Sequence, residues 1–247
     1  MDKKVLLIGN INSFSSHVEA CLKEDAFCIE QKNSVEIPDD TDTVIMNFMD
    51  YKETLHHELN IVLTSGVKKV IILENALDLY LNSHNGIPFS VYSKMTPKNE
   101  TCERLLDVER RVKESGKKFV IFRISEIYGQ SMPESMVSKL LFASFRELEN
   151  SCRDFIYDGD VIQAIEIALK KDVSGLFDIA SGETTELKRL VELIKVLRQE
   201  SLNIQWSRKR LHIAFNCENF KFYKWVPLVN IELGVKTIYS LMRRNYV

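Results

Sequence analysis

The chain has 247 residues, 45% of them hydrophobic and 28% charged, with a formal net charge of −2. That length allows one large domain or two small ones with a real core. So balanced a charge supplies no field for nucleic acid or an anionic membrane surface. Cys21, Cys28, Cys102, Cys152 and Cys217 include no Cys-x-x-Cys and are odd in number. They give neither a zinc cluster nor a disulfide framework, and they agree with a reducing, cytoplasmic compartment. The apolar run after Met1-Asp2-Lys3-Lys4 is too short for a signal peptide, and nowhere do the ~18 apolar residues of a membrane span occur.

Val5–Ile8, ending in Gly9, reads as a buried strand. Phe14, Val18, Cys21 and Leu22 then recur at helical spacing. Phe27–Ile29, Val44–Phe48 and Val70–Leu73 are further short apolar runs of strand type, and Tyr51, Leu55, Leu59 and Val62 stripe a helix over 51–65. From Gln31 to Val44 the chain barely spans the ~10–12 residues of a helical crossover. With Pro38 and Asp39-Asp40 inside it, a loop or a stub strand at Val35–Ile37 is expected there. A helix over 98–115 precedes a strand at Phe119–Phe122, and this alternation predicts βαβ units around a parallel sheet. Beyond Gly129 the pattern predicts a helix over 134–148, a brief extension at Phe155–Tyr157, a helix over 160–170 and a strand at Leu176–Ile179. A helix over 184–199 capped by Thr184 or Thr185 comes next, then a strand-like Asn203–Ser207 followed by Arg208-Lys209-Arg210. A last helix runs from Asn230 or Ile231 to about Arg243.

Four segments occur in an order of their own: Arg123-Ile-Ser-Glu-Ile-Tyr-Gly129, Arg153-Asp-Phe-Ile-Tyr-Asp-Gly-Asp-Val161, Leu176-Phe-Asp-Ile-Ala-Ser-Gly-Glu183, and Lys224-Trp-Val-Pro227 with Glu232-Leu-Gly-Val235. In sequence and spacing they resemble the NAD-dependent epimerase/dehydratase family, the extended short-chain dehydrogenases/reductases that act on nucleotide sugars. The resemblance implies a Rossmann-like, doubly wound parallel α/β sheet over residues 1–130. Over residues 131–247 it implies a small C-terminal α/β subdomain that completes the sheet and binds substrate.

The same resemblance marks where chemistry would sit. The family's glycine-rich loop brings backbone N–H groups to a pyrophosphate at a helix N-terminus. Here that loop reads Gly9-Asn10-Ile11-Asn12-Ser13-Phe14-Ser15, so Asn12 and Ser15 stand where the second and third glycines would be. Asn tolerates a left-handed backbone, which would keep the turn, while its side chain would crowd the phosphate space. Gly9, Asn10, Ile11, Asn12, Phe14 and Ser15 are the implied cofactor contacts for NAD or NADP, with Lys32 in the place of the ribose-binding acid.

Family chemistry uses Tyr-x-x-x-Lys on one helix face, the lysine lowering the tyrosine pKa for proton transfer. No tyrosine here has a lysine at that spacing. Counting back from Glu103-Arg-Leu-Leu106 puts Met95 and Asn99 in those places, and Asn75 or Ala76 replaces the upstream hydroxyl. No catalytic residue is therefore assigned, and enzymatic status is left open. On the substrate side the resemblance points to Glu126, in place of an asparagine, and to Arg210, whose fork suits phosphate oxygens. His56-His57-Glu58 is read as a solvated helix face, and no metal site is assigned, because adjacent histidines point about 100° apart on a helix.

The expected function is a family relative without the usual Tyr–Lys redox catalysis, in a ligand-binding or accessory role in polysaccharide biosynthesis. The alternative is an active nucleotide-sugar epimerase, dehydratase or reductase with a diverged NAD(P) site. A nucleotide sugar or related small molecule is the expected partner, without nucleic acid or membrane insertion. The 51–65 and 98–115 helices show no clear second apolar face, which leaves a monomer or a homodimer.

Overall fold

The computed structural model describes residues 4–9, 12–25, 27–32, 36–49, 52–80, 88–143 and 145–244. In chain order the elements are β1 (Lys4–Gly9), α1 (Ser13–Glu24), β2 (Cys28–Lys32), β3 (Thr43–Phe48), α2 (Thr54–Thr64), β4 (Lys69–Asn75), α3 (Ala76–Tyr80), α4 (Glu100–Glu114) and β5 (Lys118–Ile124). They continue as β6 (Glu126–Tyr128), α5 (Met136–Phe142), β7 (Glu147–Tyr157), α6 (Asp158–Lys170), β8 (Gly175–Ile179), β9 (Thr184–Glu186), α7 (Leu187–Arg198), β10 (Gln205–His212), α8 (Glu218–Lys221) and α9 (Ile231–Arg244). Two compact units result, and they interleave along the chain. The first takes Met1–Asn82, Lys94–Ile124 and Ile162–Phe177; the second takes Ser83–Ser93, Ser125–Val161 and Asp178–Val247. The exchanges between units fall near residues 82, 93, 124, 161 and 177, because a short segment before α4 and the body of α6 each join the unit opposite to their neighbours in the chain.

In the first unit, strands lie in the order β2-β1-β3-β4-β5-β8, and β1, β2, β3, β4 and β5 pair in parallel. Helices cover both faces of such a sheet, so its central strands are continuous apolar runs rather than alternating ones. All of β3 is buried, as are Val5–Ile8 and Val70–Glu74. α4 presents Cys102, Leu105, Val108 and Val112 at helical spacing to a core that includes Ile72, Leu59 and Val44. Among the described residues of the β2–β3 connection, Glu36–Asp42 are a loop, without the stub strand at Ile37; Val35 lies outside the described residues.

Two charges enter that core. Arg123 donates from Nε to Glu109 Oε1 (2.6 Å) and from a guanidinium nitrogen to the Tyr80 hydroxyl (2.8 Å), and Lys113 donates to Glu109 Oε2 (2.8 Å). Burial pushes the Glu109 carboxyl up, but Arg123 and Lys113 outweigh it and hold the group ionised. Glu74, at the end of β4 and paired in register with Arg123, is fully buried. Neither of its oxygens has a hydrogen-bond partner among the described residues. Burial, and next the Glu109 charge, raise its pKa well above the usual carboxylate range, which favours its protonated form in the folded chain.

The second unit holds β10-β7-β6 in parallel register, with β9 antiparallel to β7. Its core gathers Tyr128, Val137, Leu148, Phe155, Leu190, Ile194, Val235 and Ile238. Three expectations are corrected here. β7 begins at Glu147, so helix α5 ends at Phe142 rather than near 148. The polar stretch Glu147–Asp154 carries no apolar alternation, since its pairing with β10 and β9 rather than burial of every second side chain makes it a strand. Thr184 and Thr185 lie in β9, so neither caps α7, and Glu186 occupies the N-cap without a side-chain bond. Arg208 and Arg210 lie within β10 rather than after a strand, next to an irregularity between Trp206 and Arg210.

Glu74 has a folded-state pKa above its unfolded one, so its contribution to stability is present below about pH 4.3 and is lost as pH rises toward the folded value. Glu74→Gln is therefore expected to raise the melting temperature at pH 8 and leave it nearly unchanged at pH 4. Scanning calorimetry at the two pH values checks this, and equal shifts at both would contradict it.

Candidate functional site

In the first unit the loop after β1 is partly preserved. Gly9 has φ +137°, and a Cβ there would stand 2.9 Å from the Asn47 carbonyl oxygen of the neighbouring strand, so glycine is required. Asn12 is not left-handed: its backbone is extended (φ −124°, ψ 175°) and it is the N-cap of α1, its Oδ1 accepting the Ser15 N–H at 2.8 Å. Ser15 is buried, and its Oγ accepts a bond from Asn47 Nδ2 (3.0 Å). Asn47 in turn uses Oδ1 to accept the Met49 N–H (3.0 Å). Phe14 is buried in the same unit. Asn10 and Ile11 lie outside the described residues, and Lys32 is described only as the last backbone position of β2.

A pyrophosphate needs the N-terminal N–H groups of the following helix. At Ser15 that donor already serves the chain's own asparagine, and a phosphate oxygen would have to displace it.

The positions that the resemblance gives to proton transfer, 95 and 99, precede the first residue of α4. α4 starts at Glu100, after both places, with Asn99 as its N-cap in extended conformation (φ −145°) and Asn99 Oδ1 accepting the Cys102 N–H at 2.8 Å. Met95 packs on the core of the first unit. Asn75 Oδ1 accepts the Leu77 N–H (3.0 Å), and Ala76 is buried. Tyr92 is 88% exposed.

In the second unit Glu126 is ion-paired with Arg153 (2.8 Å), whose other nitrogen reaches Glu149 (3.2 Å). Burial raises the Glu126 pKa, and Arg153 opposes that rise. Glu126 is in register with Phe155, whereas Arg210 is in register with Asn150 and His212 with Cys152. Since alternate residues of a strand face opposite sides, Glu126 and Arg153 share one face of β7 and Arg210 occupies the other. The two substrate-side residues expected from sequence are not brought together.

The four segments that carry the resemblance meet in the second unit through three buried carboxylates, whose role as hydrogen-bond hubs sequence reasoning missed. Asp154 accepts the Ser181 N–H (2.8 Å) and hydroxyl (2.7 Å) and the Gly182 N–H (2.9 Å). Its pKa is pushed up to about 6 by burial, against the pull of those donors. Asp158 accepts the Ser131 N–H (2.9 Å) and hydroxyl (2.6 Å) and fills the notch over Gly129, where a Cβ would overlap its carboxyl group. Asp160 accepts the Leu228 and Val229 N–H groups (2.9 and 3.1 Å), while its carbonyl accepts the Trp225 indole N–H (3.0 Å). The signal for these roles was the aspartates' own spacing at 154, 158 and 160 in a strand-to-helix junction.

Among the described residues no His, Cys, Asp and Glu group could hold a metal ion. His56 lies instead against Arg111 (3.3 Å), and burial, then Arg111, lowers its pKa.

No family model matches the chain, and no curated protein matches it. Solved structures do. MoeE5, in complex with UDP-glucose and NAD, matches with a TM-score of 0.82 at 14% identity over 99% of this chain and 100% of that one. UDP-glucose 4-epimerase from the hyperthermophile Thermotoga maritima gives 0.80 at 17% identity over 99% and 100%. The Bordetella bronchiseptica enzyme WbmG, in complex with NAD and UDP, gives 0.81 at 12% identity over 100% and 96%. The fold is that of the extended short-chain dehydrogenases. At such identities the match carries the fold, and the chemistry rests on the residues described above.

Two outcomes are expected. Asn12→Gly, which removes the competing oxygen at a cap cost of only ~1 kcal/mol or less, strengthens NAD binding several-fold in calorimetry; unchanged or weaker binding would contradict this account of the loop. Gly129→Ala lowers stability by roughly 2–4 kcal/mol, because the Asp158 hub must move, as measured by urea unfolding.

Proposed function

We propose that this chain is a nucleotide-sugar-binding or accessory relative of the epimerases and dehydratases, acting in surface-polysaccharide synthesis without Tyr–Lys redox catalysis. The observation that carries the reading is the position of Asn99. It caps α4 from outside the helix, so the two places for tyrosine and lysine precede the first helical turn and cannot share a helix face. A tyrosine at 95 would also have to leave the core that Met95 helps to fill.

The first-unit loop supports the same reading, because the Ser15 N–H is already bonded. The retained family segments need no substrate to explain them, since their aspartates serve backbone N–H groups. Solved relatives of the same fold hold UDP-glucose or UDP, and a uridine-diphosphate sugar is the ligand class to test first. No helix among the described residues is long and apolar enough to cross a membrane; a cytoplasmic site of action is part of the proposal. The outer side of α4 carries the ion pairs Arg104–Glu100 and Arg110–Glu114 rather than apolar side chains, which favours a monomer over a helix-paired dimer.

Isothermal titration of the purified chain with NAD, NADP and UDP-glucose tests the reading. The expected result is UDP-glucose binding without cofactor, and NAD binding weaker than about 100 μM, a free energy smaller than ~5.5 kcal/mol. Micromolar NAD affinity would overturn it.

A further inference from the structure

Tyr92 is 88% exposed, yet it lines a cavity of about 300 Å³ in the second unit together with Ser90, Val91, Asn216, Glu218 and Asn219. Backbone bonds hold these two stretches of chain to each other. The Phe89 N–H donates to the Ala214 carbonyl (2.7 Å) and the Asn216 N–H to the Phe89 carbonyl (2.6 Å), while the buried rings of Phe89 and Phe215 meet edge to face at 6.1 Å. A turn fixes the backbone under Tyr92: the Ser93 N–H donates to the Ser90 carbonyl (2.8 Å) and the Ser90 N–H to Ser93 Oγ (3.0 Å). Three polar groups of the lining are left over among the described residues. The Tyr92 hydroxyl has no partner; Asn216 accepts the Glu218 N–H through Oδ1 (3.1 Å) and keeps Nδ2 unbonded; Lys221 takes Glu218 Oε1 and leaves Oε2. No lysine or arginine lines the cavity among the described residues.

We infer that this cavity binds a neutral saccharide, one ring of which lies on Tyr92. An aromatic face is apolar and carries negative potential, and the C–H hydrogens on one face of a pyranose suit both properties. The hydroxyls of the same sugar donate to the Glu218 carboxylate and accept from the Asn216 amide and the Tyr92 hydroxyl, so each open position meets a group of the right polarity. A phosphate or a uronate is disfavoured, because the lining offers it a carboxylate and no cation. An apolar compound is disfavoured as well, since it would take Asn216 and Glu218 out of water without replacing their hydrogen bonds. The volume lies at the small end of the ~300–1,000 Å³ of ligand cavities, which fits the end of a glycan better than a whole nucleotide sugar. The site goes beyond the proposed nucleotide-sugar reading and does not rest on it.

The test is saturation-transfer-difference NMR on the full chain with three neutral trisaccharides: maltotriose, mannotriose and chitotriose. Transfer to at least one of them is expected, with a Kd on the order of 1 mM, as suits one aromatic face and a few hydrogen bonds at an open cavity. Tyr92→Ala is expected to abolish the transfer and Tyr92→Phe to retain it, since the ring rather than the hydroxyl supplies the platform. Asn216→Ala is expected to weaken binding about tenfold. Because Tyr92 and Asn216 are exposed, all three variants keep the wild-type melting temperature, which circular dichroism checks. Excess UDP is expected to leave the transfer unchanged. No transfer to any of the three sugars would overturn the site, as would transfer that survives Tyr92→Ala. Displacement by UDP would also overturn it, because the sugar would then occupy a nucleotide-sugar site instead. UDP-glucose binding is measured separately by calorimetry, so the two readings stand or fall independently.

Discussion

The demand that buried or terminal backbone N–H groups find an acceptor governs this protein. Asn12, Asn75 and Asn99 meet it at the starts of α1, α3 and α4, and Asp154, Asp158 and Asp160 meet it at the turns of the second unit. Each such bond to a charged acceptor contributes on the order of 1.5–3 kcal/mol, and a neutral cap about 1 kcal/mol. The loss of one leaves a donor unsatisfied as well.

That constraint accounts for which segments of the chain resemble the epimerase/dehydratase family most closely. The resembling segments are those whose polar residues hold backbone together in the second unit: Asp154 holds Ser181 and Gly182, Asp158 holds Ser131, and Asp160 holds Trp225, Leu228 and Val229. Where the resemblance would place a cofactor, Asn12 and Asn99 accept backbone N–H groups of the chain itself. Gly9 persists because Asn47 closes the space above it, a steric reason independent of any ligand.

Much of the fold was legible in the sequence because buried parallel strands are unbroken apolar runs; Val5–Ile8, Val44–Phe48 and Val70–Leu73 all lie within strands. The polar first part of β7 and all of β9 were not legible, since residues such as Glu149, Ser151 and Thr184 become strand through pairing with neighbours distant in sequence. At the site, the absence of Tyr-x-x-x-Lys was plain in the sequence. That Asn12 and Asn99 are helix caps was not, because capping depends on where the helix starts, and Asn12 was expected to be left-handed. The separation of Glu126 from Arg210 across a strand followed only from register, which a one-residue slip inverts.

On the proposed reading, Asn12 and Asn99 serve the chain's own backbone at the places where chemistry would be expected. A crystal structure of the protein grown with excess NAD and UDP-glucose tests it most directly. The account predicts that the Asn12 and Asn99 side chains still accept the Ser15 and Cys102 N–H groups and that no dinucleotide lies along the N-terminus of α1. A pyrophosphate oxygen on the Ser15 N–H, with the nicotinamide beside a hydroxyl and an ammonium group, would contradict it.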